Sequence, residues 1–280
     1  MESAADYIHR LVKSGSRAYK ALGQVFLISD QVIEGIVSAS TLEPDTPLVE
    51  IGPGLGVLTR ALAPKVTKMW AVELDCQKIE TLTKELRGLA IDFVNKDALQ
   101  LNLRELWGEK KGYLVGNLPY YITSPLIMHF LEQEDVLSGM TIMVQKEVAD
   151  RIAAPPGGKT YGVLSVAVQI SAQVTKVMDV QPADFWPAPK VTSSVLRLDL
   201  RPYPGFDADK KEFFRVLKAA FGQRRKTLGN SLAAGLALSK GDVVKRMRDA
   251  GISEGRRAES LSIEEFQVLT KEFAPLLRLN

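Results

Sequence analysis

Two spacings of hydrophobic positions take turns along the first two hundred residues. Short unbroken apolar runs alternate with stretches whose apolar residues fall three and four apart. The run Leu48-Val49-Glu50-Ile51 is followed by glycines and reads as a buried strand entering a tight turn, Gly52-Pro53-Gly54-Leu55-Gly56. After it, Val57-Leu58-Thr59-Arg60-Ala61-Leu62-Ala63 carries apolar residues at helical spacing. Strands are predicted again at 68–73, 91–94, 113–116 and 139–145, and helices over 76–88, 124–132 and 146–153. Ahead of these, 1–20 reads as a helix or a basic arm, and a helix over 31–40 has Ser29 or Asp30 as its N-cap. The runs 162–170 and 192–200 read as further strands, separated by the proline-rich Phe185-Trp186-Pro187-Ala188-Pro189-Lys190. The β pattern stops near Arg201-Pro202-Tyr203-Pro204-Gly205, and 208–278 reads as several short helices. Such alternation predicts an α/β fold, Rossmann-like, with a mostly parallel sheet and helices on both faces. A catalytic domain over 1–203 and a small all-helical domain over 204–280 are expected.

Composition narrows the class. The chain has 280 residues, 46% hydrophobic and 25% charged, the balance of an ordinary globular protein. No stretch approaches the roughly 18 unbroken apolar residues of a membrane span, and the first twenty residues lack a signal-peptide core. The single cysteine, Cys76, excludes an internal disulfide framework and fits a reducing compartment, so the cytoplasm is the expected location; a monomer is expected. Cys76, His9 and His129 are too scattered for a metal cage and read as structural. The net charge of +3 is unevenly spread. Residues 201–280 hold 16 Lys and Arg against 10 Asp and Glu, whereas 1–200 hold 20 against 23. A basic final third points to a polyanionic partner, and a solvated helical surface accounts for the charge equally well.

The glycine loop discriminates between ligands. A dinucleotide fingerprint beginning at Gly52 needs glycine at 57, and one beginning at Gly54 needs it at 59; the chain has Val57 and Thr59. In a parallel sheet ligands bind at the carboxyl ends of the strands, so polar residues there form one candidate site. Glu73 ends a strand 17 residues after Gly56, where a carboxylate can accept from both hydroxyls of a ribose. Asp97 follows the next strand and could accept from an exocyclic amine, though a helix cap or turn residue fits it as well. Asn117-Leu118-Pro119-Tyr120 is the most informative tetrapeptide. Pro119 keeps Leu118 out of the helical region, so the backbone projects at the strand end. The Asn117 oxygen and a nearby carbonyl can then accept from one amino group, while Tyr120 offers a flat face to a base. The lone pair of an aromatic amine is delocalised into its ring, and two acceptors that fit a pyramidalising amine favour the form that attacks an electrophile.

The G-x-G-x-G pattern, with Glu50 two residues before it, resembles the first motif of class I S-adenosylmethionine methyltransferases. Four more motifs follow a consistent order around it. They are Leu22-Gly23-Gln24-Val25-Phe26-Leu27, Asn117-Leu118-Pro119-Tyr120, Phe185-Trp186-Pro187-Ala188-Pro189-Lys190-Val191-Thr192-Ser193, and Ala220-Phe221-Gly222-Gln223-Arg224-Arg225-Lys226-Thr227-Leu228. Together they resemble the KsgA-type small-subunit ribosomal RNA adenine dimethyltransferases over about 20–235. The resemblance implies a cofactor site for S-adenosylmethionine built from Gln24, Val25, Leu27, Gly52, Gly54, Glu73, Asp97 and Asn117. It implies that Asn117, Tyr120 and Phe185 hold the target adenine, with Leu118 beside them in the catalytic motif; the basic final third makes Arg224, Arg225 and Lys226 the expected RNA contacts. Val25 departs from the family, which usually has asparagine there; valine cannot supply the amide's hydrogen bonds.

What the resemblance further implies is dimethylation of N6 on two adjacent adenosines in a hairpin loop near the 3′ end of small-subunit rRNA, within the small ribosomal subunit. No metal and no membrane enter this picture. Tyr120 and Phe185 would sandwich a base taken out of its stack. Two readings compete with it: a large-subunit rRNA methyltransferase of the erythromycin-resistance type, and a ribosome-assembly factor that acts mainly by binding. The erythromycin-resistance enzymes usually have isoleucine where Leu118 stands, and lack the Gln-Arg-Arg-Lys segment.

Overall fold

A computed structural model describes residues 2–15, 25–204, 208–223 and 225–278. Its main sheet has seven strands. They are β2 (Leu48–Ile51), β3 (Met69–Glu73), β4 (Ile91–Asn95), β5 (Gly112–Asn117), β6 (Leu137–Gln145), β7 (Ala172–Val180) and β9 (Ser193–Leu200), in the order β4-β3-β2-β5-β6-β9-β7. The first five in that order run parallel, while β9 is antiparallel to both β6 and β7. The central strands are buried along almost their whole length, which is why they read as unbroken apolar runs. At the two edges, β4 and β7 mix exposed with buried positions. A separate two-stranded antiparallel ribbon pairs β1 (Phe26–Leu27) with β8 (Phe185–Trp186).

Helices link the parallel strands as the alternation predicts. The elements α1 (Ala4–Lys13) and α2 (Asp30–Ala39) precede β2. Then come α3 (Val57–Leu62), α4 (Cys76–Glu85), α5 (Leu103–Trp107), α6 (Thr123–Leu131) and α7 (Lys146–Ile152). Ser29 is the N-cap of α2 but makes no side-chain cap bond; Asp30 instead accepts from the Ala4 amide at 3.0 Å.

One predicted strand is a helix. Residues 162–170 fall in α8 (Val163–Ser171), and β7, which was not anticipated, follows directly. Val163, Val166, Val168 and Ile170 favour a strand by propensity. Tertiary packing overrides them, for nearly every side chain of α8 is buried and period-two alternation is lost. The chain divides into two compact units, one of residues 1–149 and 172–201, the other of 150–171 and 202–280. The boundary expected at 203/204 therefore needs correction. Residues 150–171 leave the sheet and pack their apolar side chains with α9 (Lys210–Phe221), α10 (Leu228–Leu236), α11 (Lys240–Asp249) and α12 (Ile263–Leu277). Ala154, Tyr161, Val166 and Ile170 share one core there with Phe213, Leu217, Phe266 and Phe273. Gly235 allows α9 and α10 to approach closely, since a Cβ on it would stand 2.7 Å from the Ala219 Cα.

Candidate active site

The sheet order reverses at β2, which lies between β3 and β5. At such a switch point the loops leaving neighbouring strands diverge and open a crevice at the carboxyl ends. A cavity of about 820 Å³ lies there, lined from four successive strand ends and from β1. Gly52 and Gly54 come from the loop after β2, Glu73 to Lys78 from β3 and the start of α4, Lys96 and Asp97 from the end of β4, and Asn117 to Ile122 from the end of β5.

The glycine loop keeps its shape through three left-handed residues, Gly52 at φ 69°, Gly54 at φ 62° and Gly56 at φ 85°. Side chains strain in that region. Gly52 has room besides: a Cβ there would meet nothing closer than the Asn117 carbonyl oxygen at 3.9 Å. Gly56 does not, because a Cβ would come within 2.5 Å of the Leu82 Cδ2. Backbone at Gly52 and Gly54 is thus presented bare to the cavity.

At the end of β3, Glu73 accepts from the Asp75 amide at 3.1 Å, and Lys78 Nζ lies 4.0 Å from its carboxylate. Asn95 donates to the carbonyls of Glu73 and Leu74 at 3.0 and 2.9 Å, so the ends of β3 and β4 are tied together. Asp97 accepts from the Leu99 amide at 2.9 Å, capping a short 3₁₀ turn; it both caps and lines the cavity. After β5 the Leu118 amide donates to the Met143 carbonyl at 3.0 Å, and the Thr123 hydroxyl donates to the Pro119 carbonyl at 3.0 Å. The first bond carries the pairing of β5 with β6 one residue past Asn117, and the second ties Pro119 to the start of α6. The Tyr120 and Ser193 hydroxyls share a hydrogen bond of 2.7 Å, and burial raises the Tyr120 pKa above the usual phenol value while that bond opposes the shift. Beneath the loop, Glu50 is 1% exposed, and its Oε2 has no hydrogen-bond partner among the described residues. Burial pushes its carboxyl up to about 8, the charge of Glu73 adding to the rise and the Thr59 hydroxyl partly offsetting it.

Of the residues singled out in the sequence, Val25, Gly52, Gly54, Glu73, Asp97, Asn117, Leu118 and Tyr120 line this one cavity. Leu27 and Phe185 do not. They pair across the β1–β8 ribbon and share one side of it, whereas Phe26, the neighbour of Leu27, faces the cavity. Phe185 is only 2% exposed and packs into the core with Leu27. Gln24 and Arg224 lie outside the described residues. Arg225 and Lys226 are exposed between α9 and α10, in the other compact unit.

Several wall residues carried no signal of their own. Leu74 and Tyr121 are 68% and 64% exposed and line the cavity, and both look in sequence like ordinary apolar positions. Cys76, expected to be structural, is exposed on the cavity wall. His129 is structural, its Nε2 bonding the Leu101 carbonyl at 2.8 Å. Among the described residues no group of His, Cys, Asp or Glu could hold a metal ion, and no helix is long and apolar enough to cross a membrane.

A model of the ribosomal RNA adenine dimethylase family matches residues 15–275. The chain belongs to that family. It is 61% identical over 271 residues to the ribosomal RNA small subunit methyltransferase A of Desulfitobacterium hafniense, covering 97% of this chain and 98% of the relative. To the protein of the same name from Alkaliphilus metalliredigens it is 42% identical over 265 residues, covering 92% of each. Among solved structures, a dimethyladenosine transferase from Plasmodium falciparum superposes with a TM-score of 0.76 at 24% identity, over 88% of this chain and 96% of that one. The 23S rRNA methyltransferase ErmE gives 0.69 at 25% identity, over 88% and 98%. The architecture is that of a class I methyltransferase with a helical C-terminal region, and the protein is an rRNA methyltransferase.

Proposed function

We propose that the protein transfers methyl groups from S-adenosylmethionine to N6 of two adjacent adenosines near the 3′ end of small-subunit rRNA. The observation that carries this reading is one cavity shared by the bare glycine loop, the Glu73 carboxylate and Asn117-Leu118-Pro119-Tyr120. The names of the relatives at 61% and 42% identity support the small subunit as substrate.

The residues fit the cofactor. Glu73 would accept from the ribose hydroxyls, Asp97 from the adenine amine, and the open backbone at Gly52 and Gly54 would pass beside the methionyl part. Val25 offers this site an apolar contact where the family usually has an amide. When bound, S-adenosylmethionine supplies an electrophilic sulfonium methyl group. Asn117 would accept from the N6 amine of the target and favour its pyramidal form as it attacks. The Tyr120 ring, held by Ser193, would stack on the base that leaves its loop, a contact of roughly 1–3 kcal/mol. Phe185 pairs with Leu27 across the ribbon and packs with it in the core. As the amine attacks it becomes acidic, so water can take the proton. The basic residues Arg225 and Lys226 would contact phosphates from the C-terminal unit, and the protein would work as a monomer in the cytoplasm, where subunits assemble.

The test is methyl transfer from labelled S-adenosylmethionine to purified small subunits, large subunits and free rRNA, followed by mapping of the modified nucleosides. N6,N6-dimethyladenosine at two neighbouring positions in small subunits is expected. Label confined to large-subunit RNA would favour the erythromycin-resistance reading, and binding of small subunits without turnover would favour an assembly factor.

A further inference from the structure

Helix α1 comes before every strand of the sheet and contributes nothing to the cavity wall, yet it reaches the glycine loop from behind. Tyr7 is 2% exposed, and its hydroxyl donates to the Leu55 carbonyl at 3.0 Å. Leu55, itself 2% exposed, lies between Gly54 and Gly56, both left-handed. The Arg60 guanidinium stands 4.5 Å from the centroid of the Tyr7 ring and that of Arg10 stands 5.3 Å away. Each is anchored in turn. Arg60 donates to the Glu2 carbonyl at 2.9 Å, and Arg10 pairs with Glu2 at 3.1 Å and with Glu85 at 2.8 Å. The Ala4 amide adds the bond to Asp30 already described. Helix α1 is therefore fastened to α2, α3 and α4. Leu82 and Leu86 of the α4 region close on Gly56 beside the Tyr7 hydroxyl, all three standing within 4 Å of where a Gly56 Cβ would be.

A loop with three left-handed glycines has many conformations available when nothing restrains it. Fixing the Leu55 carbonyl removes much of that freedom before any ligand arrives, and a site ordered in advance binds more tightly than one ordered on binding. We propose that Tyr7 is a positioning residue for the cofactor loop: through its hydroxyl, α1 holds Leu55 so that Gly52 and Gly54 present their backbone in a binding-ready conformation. Burial pushes the Tyr7 hydroxyl up to about 12, so it stays a donor across the working pH range.

The proposal rests on the reading that the cavity takes S-adenosylmethionine. Tyr7→Phe keeps the ring and removes only the hydroxyl. Calorimetry on the full chain should show the Kd for S-adenosylmethionine rising about 2- to 12-fold, the range for one uncharged hydrogen bond. KM for the cofactor should rise in step, with kcat at saturating cofactor within about twofold of the wild type. Leu11→Ala is the comparison: Leu11 is 1% exposed on the same helix, so its truncation lowers the melting temperature while the Tyr7 hydroxyl is kept. Its Kd should match the wild type at a temperature where both are folded. An unchanged Kd in Tyr7→Phe beside tight wild-type binding overturns the proposal alone. Equal weakening in both variants also overturns it, since affinity would then follow helix stability. A wild-type protein that binds no S-adenosylmethionine overturns the cofactor reading and this proposal together.

Discussion

Tyr120 and Ser193 lie 73 residues apart in the chain and join hydroxyls at 2.7 Å, so the strand β9, antiparallel to its neighbours, sets the pose of an aromatic ring that follows β5. The bond fixes where the ring's flat face points. Its removal and removal of the ring should therefore separate. Tyr120→Phe keeps the face and is expected to hold turnover within a few-fold of the wild type. Tyr120→Ala loses the stacking surface, roughly 1–3 kcal/mol, and should lower kcat/KM for small subunits by about 5- to 150-fold. Steady-state kinetics with subunit as the varied substrate reads the difference. Similar losses in both variants would mean that the hydroxyl, and not the ring, is what the reaction needs.

Glu73 and Asn117 share the cavity but should fail in different ways. Glu73→Ala should weaken S-adenosylmethionine binding by on the order of 1–3 kcal/mol, the scale for hydrogen bonds to a charged group. Asn117→Ala should leave that affinity closer to the wild type and lower single-turnover methylation by roughly 10²-fold, the scale for one preorganised transition-state bond. Calorimetry and single-turnover kinetics on the same preparations decide the assignment. A folded Glu73→Ala protein with unchanged affinity removes Glu73 from the ribose site, and an Asn117→Ala protein with full single-turnover rate removes Asn117 from the chemistry.

Most of this site could be read in the sequence because parallel strands deliver their carboxyl ends to one edge of the sheet. Once the alternation is recognised, Gly52, Glu73, Asp97 and Asn117 converge without any knowledge of side-chain contacts. What could not be read depends on which way a residue faces. Phe185 sits in a two-residue strand, too short for a pattern to show its side, and its pairing with Leu27 turns it to the core. The valines of α8 read as a strand because burial all round erases the period that tells helix from strand, and the edge strand β7 escapes because its buried and exposed positions follow no strict alternation and its register shifts between Lys176 and Met178. The bond from Tyr7 to Leu55 spans 48 residues and leaves no local trace.

Buried Glu50 makes stability depend on pH in a defined direction. Its carboxyl rises from about 4.5 to about 8 on folding. Between those values the folded state holds more protons than the unfolded one, so stability falls as pH rises. The loss is complete once the folded group has ionised, above pH 8. Glu50→Gln removes the group that titrates while keeping its shape. The variant should be more stable than the wild type at pH 8.5, by on the order of 1–3 kcal/mol, with a flatter profile between pH 6 and 8.5. Melting temperatures of the cofactor-free proteins across that range check it. Parallel profiles for the two proteins would show that Glu50 does not titrate in this window.

The C-terminal unit carries the last prediction. Arg225 and Lys226 are exposed between α9 and α10, and the Lys226 amide donates to the Gln223 carbonyl at 2.9 Å. Exposed cations gain little from any protein partner, while beside a phosphate each releases condensed counterions, and the affinity so gained falls as salt rises. Changing Arg224, Arg225 and Lys226 to alanine should weaken small-subunit binding and flatten its salt dependence by up to about three phosphate contacts. Affinity for S-adenosylmethionine should not change, because the cavity is lined wholly by the other unit. If these residues instead hold the protein together, the triple variant will melt at a lower temperature and keep the wild-type salt slope. Binding measured from 50 to 300 mM salt, with melting curves on the same samples, separates the two outcomes, and the second would refute the RNA-contact reading.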